Sequence, residues 1–128
     1  MIHYVNVSAQ MIDGTMKINL AETYDYIGLV SACFPRYIFS DSTATSIEIQ
    51  ADEIDKTYEN PHRVLSRLHF DYKVDNYFYQ YETTHIQWQI LDSHRQEINL
   101  TFLNELDQVI TFDDYEVVNL SLALLSKV

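Results

Sequence analysis

Glycine and proline are scarce in this chain, two of each in 128 residues. With Gly14 and Gly28 standing alone, no glycine-rich phosphate loop can form, and the nucleotide-binding folds built on one are excluded. Cysteine is scarcer still. Cys33 is the only one, which rules out an internal disulfide and any multi-cysteine zinc site. Lys and Arg number 8 against 19 Asp and Glu, for a formal net charge of −11. The basic residues are scattered, and only Arg63 and Arg67 come close together, so the counterion-displacing groove of a direct nucleic-acid binder is missing. Attraction to an anionic membrane surface is disfavoured for the same reason. No apolar run nears the roughly 20 residues that a spanning helix needs. Met1 to Asn6 show no basic stretch leading into an apolar block, so no secretory signal is expected.

What the chain does have is apolar and aromatic content, 47% and 13%, enough for a packed core. Its length suits one domain over residues 1–128. The dominant local period is two, the period of a strand with one face buried. His3-Val5-Val7, Met16-Ile18-Leu20, Thr45-Ile47-Ile49, Leu68-Phe70-Tyr72-Val74, Ile86-Trp88-Ile90, Ile98-Leu100-Phe102 and Val118-Leu120-Leu122-Leu124 all alternate with polar or small neighbours. Asp13-Gly14 between the first two runs is a hairpin cue, and Ile86–Ile90 is the cleanest alternation of all. Tyr26 to Phe34 is apolar nearly throughout and halts at Pro35, as a central strand or a short buried helix would. Helix is expected at most as one or two turns within residues 51–67, where Asn60 could cap, Pro61 suits the first turn, and Val64, Leu65 and Leu68 share a face. A second stretch, Phe102 to Val109, reads as loop before helix. The expected fold is all-β and mainly antiparallel, a β-sandwich or single jelly roll of about eight short strands. Asn, Asp and Ser must then supply the turns that glycine and proline do not.

Candidate chemistry is thin. The five histidines (His3, His62, His69, His85, His94) show no zinc-ligand spacing. Cys33 lies between Ala32 and Phe34, the setting of a small buried hydrophobe and not of a catalytic thiolate. No Gly-x-Ser-x-Gly elbow exists. Glu105, Asp107, Asp113, Asp114 and Glu116 could offer oxygens to calcium, yet their order is not that of an EF-hand. No catalytic residue, cofactor site or metal site is expected. The same acids form one of two dense acidic stretches, the other being Glu48, Asp52, Glu53, Asp55 and Glu59. Each is a solvated face that keeps the protein soluble, a surface complementary to a basic partner, or a mimic of nucleic acid.

Tyr77-Phe78-Tyr79-Gln80-Tyr81 is the most unusual local feature. In a strand its three tyrosines point one way, and such a patch serves either the domain's own core or a partner. A Tyr79→Ala exchange separates the two, since an interface ring costs assembly more than folding. Trp88 joins Tyr77, Tyr79 and Tyr81 as a candidate partner-binding residue.

Three segments together resemble a known group. Tyr24-Asp25-Tyr26-Ile27-Gly28-Leu29-Val30-Ser31-Ala32-Cys33-Phe34-Pro35, then Val64-Leu65-Ser66-Arg67-Leu68-His69-Phe70-Asp71, then Ile86 to Ile98 with a closing strand from Val118 to Leu125, are similar to small structural proteins coded beside the capsid genes of polinton-like and related double-jelly-roll DNA viruses. The chain departs from their pattern at Ser93-His94-Arg95-Gln96, where the turn has no glycine. The resemblance implies a penton-like or minor capsid component that packs against itself or a larger coat protein. Its place would be a virion, or the cytoplasm or nucleus of a host cell. Two other functions fit the composition: an acidic inhibitor seated on the basic surface of a host defence protein, and a carbohydrate-binding sandwich using Trp88 and exposed tyrosines. The first is told apart by a steep salt dependence.

Overall fold

The computed structural model describes residues 2–9, 15–35, 46–69, 78–91, 96–104, 107–110 and 118–126. Nine strands run through them: β1 (Ile2–Ala9), β2 (Thr15–Asn19), β3 (Tyr26–Pro35), β4 (Ser46–Ala51), β5 (Val64–His69), β6 (Phe78–Glu82), β7 (Gln89–Ile90), β8 (Glu97–Leu103) and β9 (Val118–Leu125). All pairings are antiparallel. One sheet is ordered β1-β9-β3-β6, with β7 also on β3, and the other β2-β8-β4-β5. The pairs are nested, β1 with β9, β2 with β8, β3 with β6 and β4 with β5. That nesting is the winding of a jelly roll, in which two Greek keys close into a two-sheet sandwich. The expected β1–β2 hairpin does not form. The two strands join different sheets because each pairs with a strand from the far end of the chain, while Asp13 and Gly14 lie outside the described residues.

Alternation builds the core between the sheets. Met16 and Ile18 of β2, Ile47 and Ile49 of β4, Ile98, Leu100 and Phe102 of β8, and Leu120, Leu122 and Leu124 of β9 are all buried. Each such side chain contributes about 1.5–3 kcal/mol relative to exposure. Phe34 and Phe102 meet across the sandwich, ring centroids 5.7 Å apart and planes at 77°. This edge-to-face contact adds about 0.5–1.5 kcal/mol beyond burial.

Two register shifts explain one unbroken apolar run and one helix-like spacing. In β3, Leu29 pairs with Leu122 and Ser31 with Ser121, so Val30 is an extra residue. Ile27 and Leu29 point inward before it, and Ala32 and Phe34 after it. The run is continuous because the inward phase switches, while the opposite face at Val30, Ser31 and Cys33 stays half-exposed. In β5, Ile49 pairs with Ser66 and Gln50 with Val64, which leaves Leu65 as the extra residue. Leu65 and Leu68 are thus both buried in a strand. Their helical spacing is a bulge, and no helix occurs among the described residues of 51–67.

The turn before β5 is made by asparagine. Asn60 Oδ1 accepts the Val64 N–H (2.9 Å), and its Nδ2 donates to the Val64 carbonyl (3.0 Å), with Arg63 between them at φ 55°. The same device recurs after β8: Asn104 Oδ1 accepts the Gln108 N–H (3.0 Å), with Asp107 at φ 58°. Both turns use a non-glycine residue in the left-handed region, anchored by the side chain three positions earlier.

Candidate interaction surface

The outer face of the five-stranded sheet is assembled by register from all five of its strands. Ile2, Leu125, Tyr26 and Ile90 stand in one transverse row, and Tyr4, Ala123 and Gly28 in the next. Then follow Asn6, Ser121, Ser31 and Glu82, and finally Ser8, Asn119, Cys33 and Gln80. The face therefore divides across the strands. One half is apolar and aromatic, with Ile2 41%, Tyr4 60% and Ile90 52% exposed. The other half is lined by amides and hydroxyls together with Cys33 and Glu82, and forms a shallow groove of about 550 Å³.

Trp88 belongs to the apolar half. β6 leaves the sheet at Thr83, whose N–H still donates to the Val30 carbonyl (3.0 Å), and the chain rejoins β3 only where Gln89 pairs with Ile27. Between these points it is not a strand. It folds over Gly28 instead, where an added Cβ would collide with an Ile86 methyl and stand 3.2 Å from the Gln87 carbonyl oxygen and 3.6 Å from Trp88 Cε3. Gly28 is needed for this close approach. The expected strand Ile86–Ile90 is thus reduced to Gln89–Ile90, because too few β3 positions remain for the connecting residues to pair in register. Trp88 is half-buried there and also lines a groove of about 680 Å³ beside Asn60, His62 and Gln89.

The tyrosine cluster is placed only in part. Tyr81 is half-buried and packs against the core, opposite Ala32. The backbone of Tyr79 pairs with Phe34, but its side chain, like the whole of Tyr77, lies outside the described residues. Sequence reasoning did not single out Ile2, Tyr4 and Ile90. The available signal was that Ile2 and Tyr4 alternate with His3, Val5 and Val7, making the start of β1 apolar on both sides.

No protein-family model matches the chain, and no curated protein is found as a relative.

Charge is concentrated on the other sheet. Glu48 is 8% exposed and accepts hydrogen bonds from Arg67 Nε (3.1 Å), from Arg67 Nη2 and from Gln50 Nε2 (2.7 Å). Burial alone raises its pKa, but the bonds from Arg67 and Gln50 and the Arg67 charge outweigh it and hold the carboxyl below its usual range. Glu53, 2% exposed, accepts the Asn99 N–H (2.7 Å) and Asn99 Nδ2 (2.9 Å). Burial dominates there and raises its pKa, with the Asp52 charge adding to the rise against the Asn99 bonds. Lys17 and Glu97 form an exposed pair at 3.2 Å. Two members of the first acidic stretch therefore face partners in their own chain and not solvent. In the second, Asp107 is exposed, and Glu105, Asp113, Asp114 and Glu116 lie outside the described residues.

Cys33 is half-buried on the outer face, not fully enclosed as its apolar neighbours imply. Burial raises its pKa against a bond from Gln80, the opposite of the shift that activates a thiol. Among the described residues His3, His62, His69 and His85 are all exposed, and no three His, Cys, Asp or Glu side chains converge.

Proposed function

We propose that this protein is a non-enzymatic structural component that works by packing against copies of itself or a larger coat protein, as a penton-like or minor part of a virus particle. Fold alone assigns no activity. The observation that carries the proposal is the apolar half of the outer sheet face, where Ile2, Tyr4 and Ile90 stand exposed on a protein of net charge −11. A strongly acidic chain gains nothing in solubility from such a patch, and patches of this kind mark contact surfaces. Support for the viral setting comes from the jelly-roll winding, an architecture that shell proteins use, and from the three-segment resemblance in the sequence. The inhibitor alternative is weakened where Glu48 and Glu53 are already bonded internally. A standard interface buries ~1,600 Å² in total, with a few aromatic anchors dominating its energy.

Sedimentation over a concentration series, in low and high salt, tests the proposal. Self-association that persists or tightens as salt rises is the expected result. A chain that stays monomeric and instead binds polylysine, with affinity collapsing as salt rises, would overturn it in favour of the inhibitor.

A further inference from the structure

The geometry points to β1 as a self-pairing edge: two copies join β1 to β1, antiparallel, and extend the five-stranded sheet into one of ten. The inference rests on the packing function proposed above and gives it a partner, a second copy of this chain, and a register.

An edge strand exposes unpaired N–H and C=O groups, and proteins blunt such edges with charge, proline, bulges or short length. The other edges here carry those devices. β2 has Lys17, ion-paired to Glu97. β5 has the Leu65 bulge, with Arg67 and His69 among its last three residues. On the far side of the five-stranded sheet, β6 ends in Glu82, and β7 is two residues long. β1 has none of them. It runs for eight residues in unbroken register with β9, contains no Asp, Glu, Lys, Arg or Pro, and has no second neighbour among the described residues.

Charge selects the occupant. Copies of a chain with net charge −11 repel each other wherever their acids face. Ile2, Tyr4, Asn6 and Ser8 on the outer side of β1, and Leu125, Ala123, Ser121 and Asn119 beside them on β9, bear no ionised group. A second copy can approach there without bringing carboxylates together. A basic partner, by contrast, would find nothing on this edge to pair with.

The strand is also self-complementary. A two-fold axis perpendicular to the sheet through Val5 sets Val5 against Val5, Tyr4 against Asn6, Ile2 against Ser8 and His3 against Val7. Like faces stay together, so the half-exposed Val5 gains the Val5 of the second copy as an apolar neighbour on the inner side, with Val7 facing His3. On the outer side the two exposed Tyr4 rings flank the axis. Closed two-fold pairing of one patch with itself is the commonest form of homo-oligomer.

The test compares the wild-type chain with a Tyr4→Lys/Asn6→Lys variant, both changes at exposed positions outside the core. Sedimentation velocity across about micromolar to millimolar protein should show a wild-type dimer that tightens with salt, because screening relieves the repulsion between acidic copies. The variant should melt at the wild-type temperature and dimerise at least tenfold more weakly. Amide exchange in residues 2–8 should slow on dimerisation. An oligomer indifferent to the two lysines, with β1 amides exchanging freely, overturns the edge but leaves the packing function standing through another surface. A wild-type chain monomeric throughout that range overturns the self-pairing, and polylysine binding by that monomer separately marks failure of the packing function.

Discussion

The outer faces of the two sheets are built on opposite plans. On the four-stranded sheet, Lys17, Glu48, Arg67 and Glu97 stand outward, and each is matched within the chain. On the five-stranded sheet, Glu82 is the one acidic or basic residue among the described outward positions, and half of the surface is apolar. Under the function proposed above, the difference teaches which face of a heavily acidic protein meets another copy. Charges that are neutralised internally make a closed surface, whereas a nearly uncharged face with the exposed Tyr4 ring ends at a strand that has no second neighbour among the described residues.

The comparison can be broken most strongly at Gly28. Gly28→Val would drive a side chain into Ile86 and the Gln87 carbonyl, lift the segment carrying Trp88 off the sheet, and cost about 1–3 kcal/mol by overpacking. Thermal melts give the loss, and Trp88 fluorescence should report greater exposure.

On the charged face, Arg67→Ala should cost about 1–2 kcal/mol, because it leaves the Glu48 carboxylate buried with Gln50 as its remaining donor. Lys17→Ala should cost at most about 0.5 kcal/mol, since both members of that pair are solvated. Urea denaturation of the two variants measures the ratio, and equal losses would sink the distinction between a covered and an open pair.

The smallest effects are those of pH. Glu48 has a folded pKa below its ordinary 4.5, so its contribution is present above 4.5 and lost as pH falls through the folded value. Glu53 has a folded pKa above 4.5, so its contribution is full below 4.5 and is lost as pH rises through the folded value. Stability curves for Glu48→Gln should lack the acid-side fall, and those for Glu53→Gln should lack the decline above 4.5. The same slope in both variants would contradict the assignment.

Much of the sandwich was legible because period-two alternation is a direct imprint of burial, as at Met16-Ile18 and Ile98-Leu100-Phe102. What escaped are departures from a constant phase. A bulge at Leu65 imitates helical spacing, and one at Val30 turns two half-buried segments into a single apolar run. Ile86-Trp88-Ile90 alternates well yet is mostly not a strand, because sequence carries no record of how much of β3 was already taken by β6. The outer surface was less legible still. Its rows draw one residue from each of several strands, and Ile2, Leu125, Tyr26 and Ile90 become neighbours only through the nested winding. The contiguous Tyr77–Tyr81 run is the more conspicuous pattern in the sequence, yet its Tyr81 turns toward the core.

The ladder joining Ile2 to Leu125 brings together residues from opposite ends of the described chain. Contacts so remote form late, because the chain between them must be gathered first. On a ribosome, which delivers the N-terminal part first, β1 emerges long before residues 118–125 exist to receive it. β1 therefore acquires its sheet only once β9 has been synthesised.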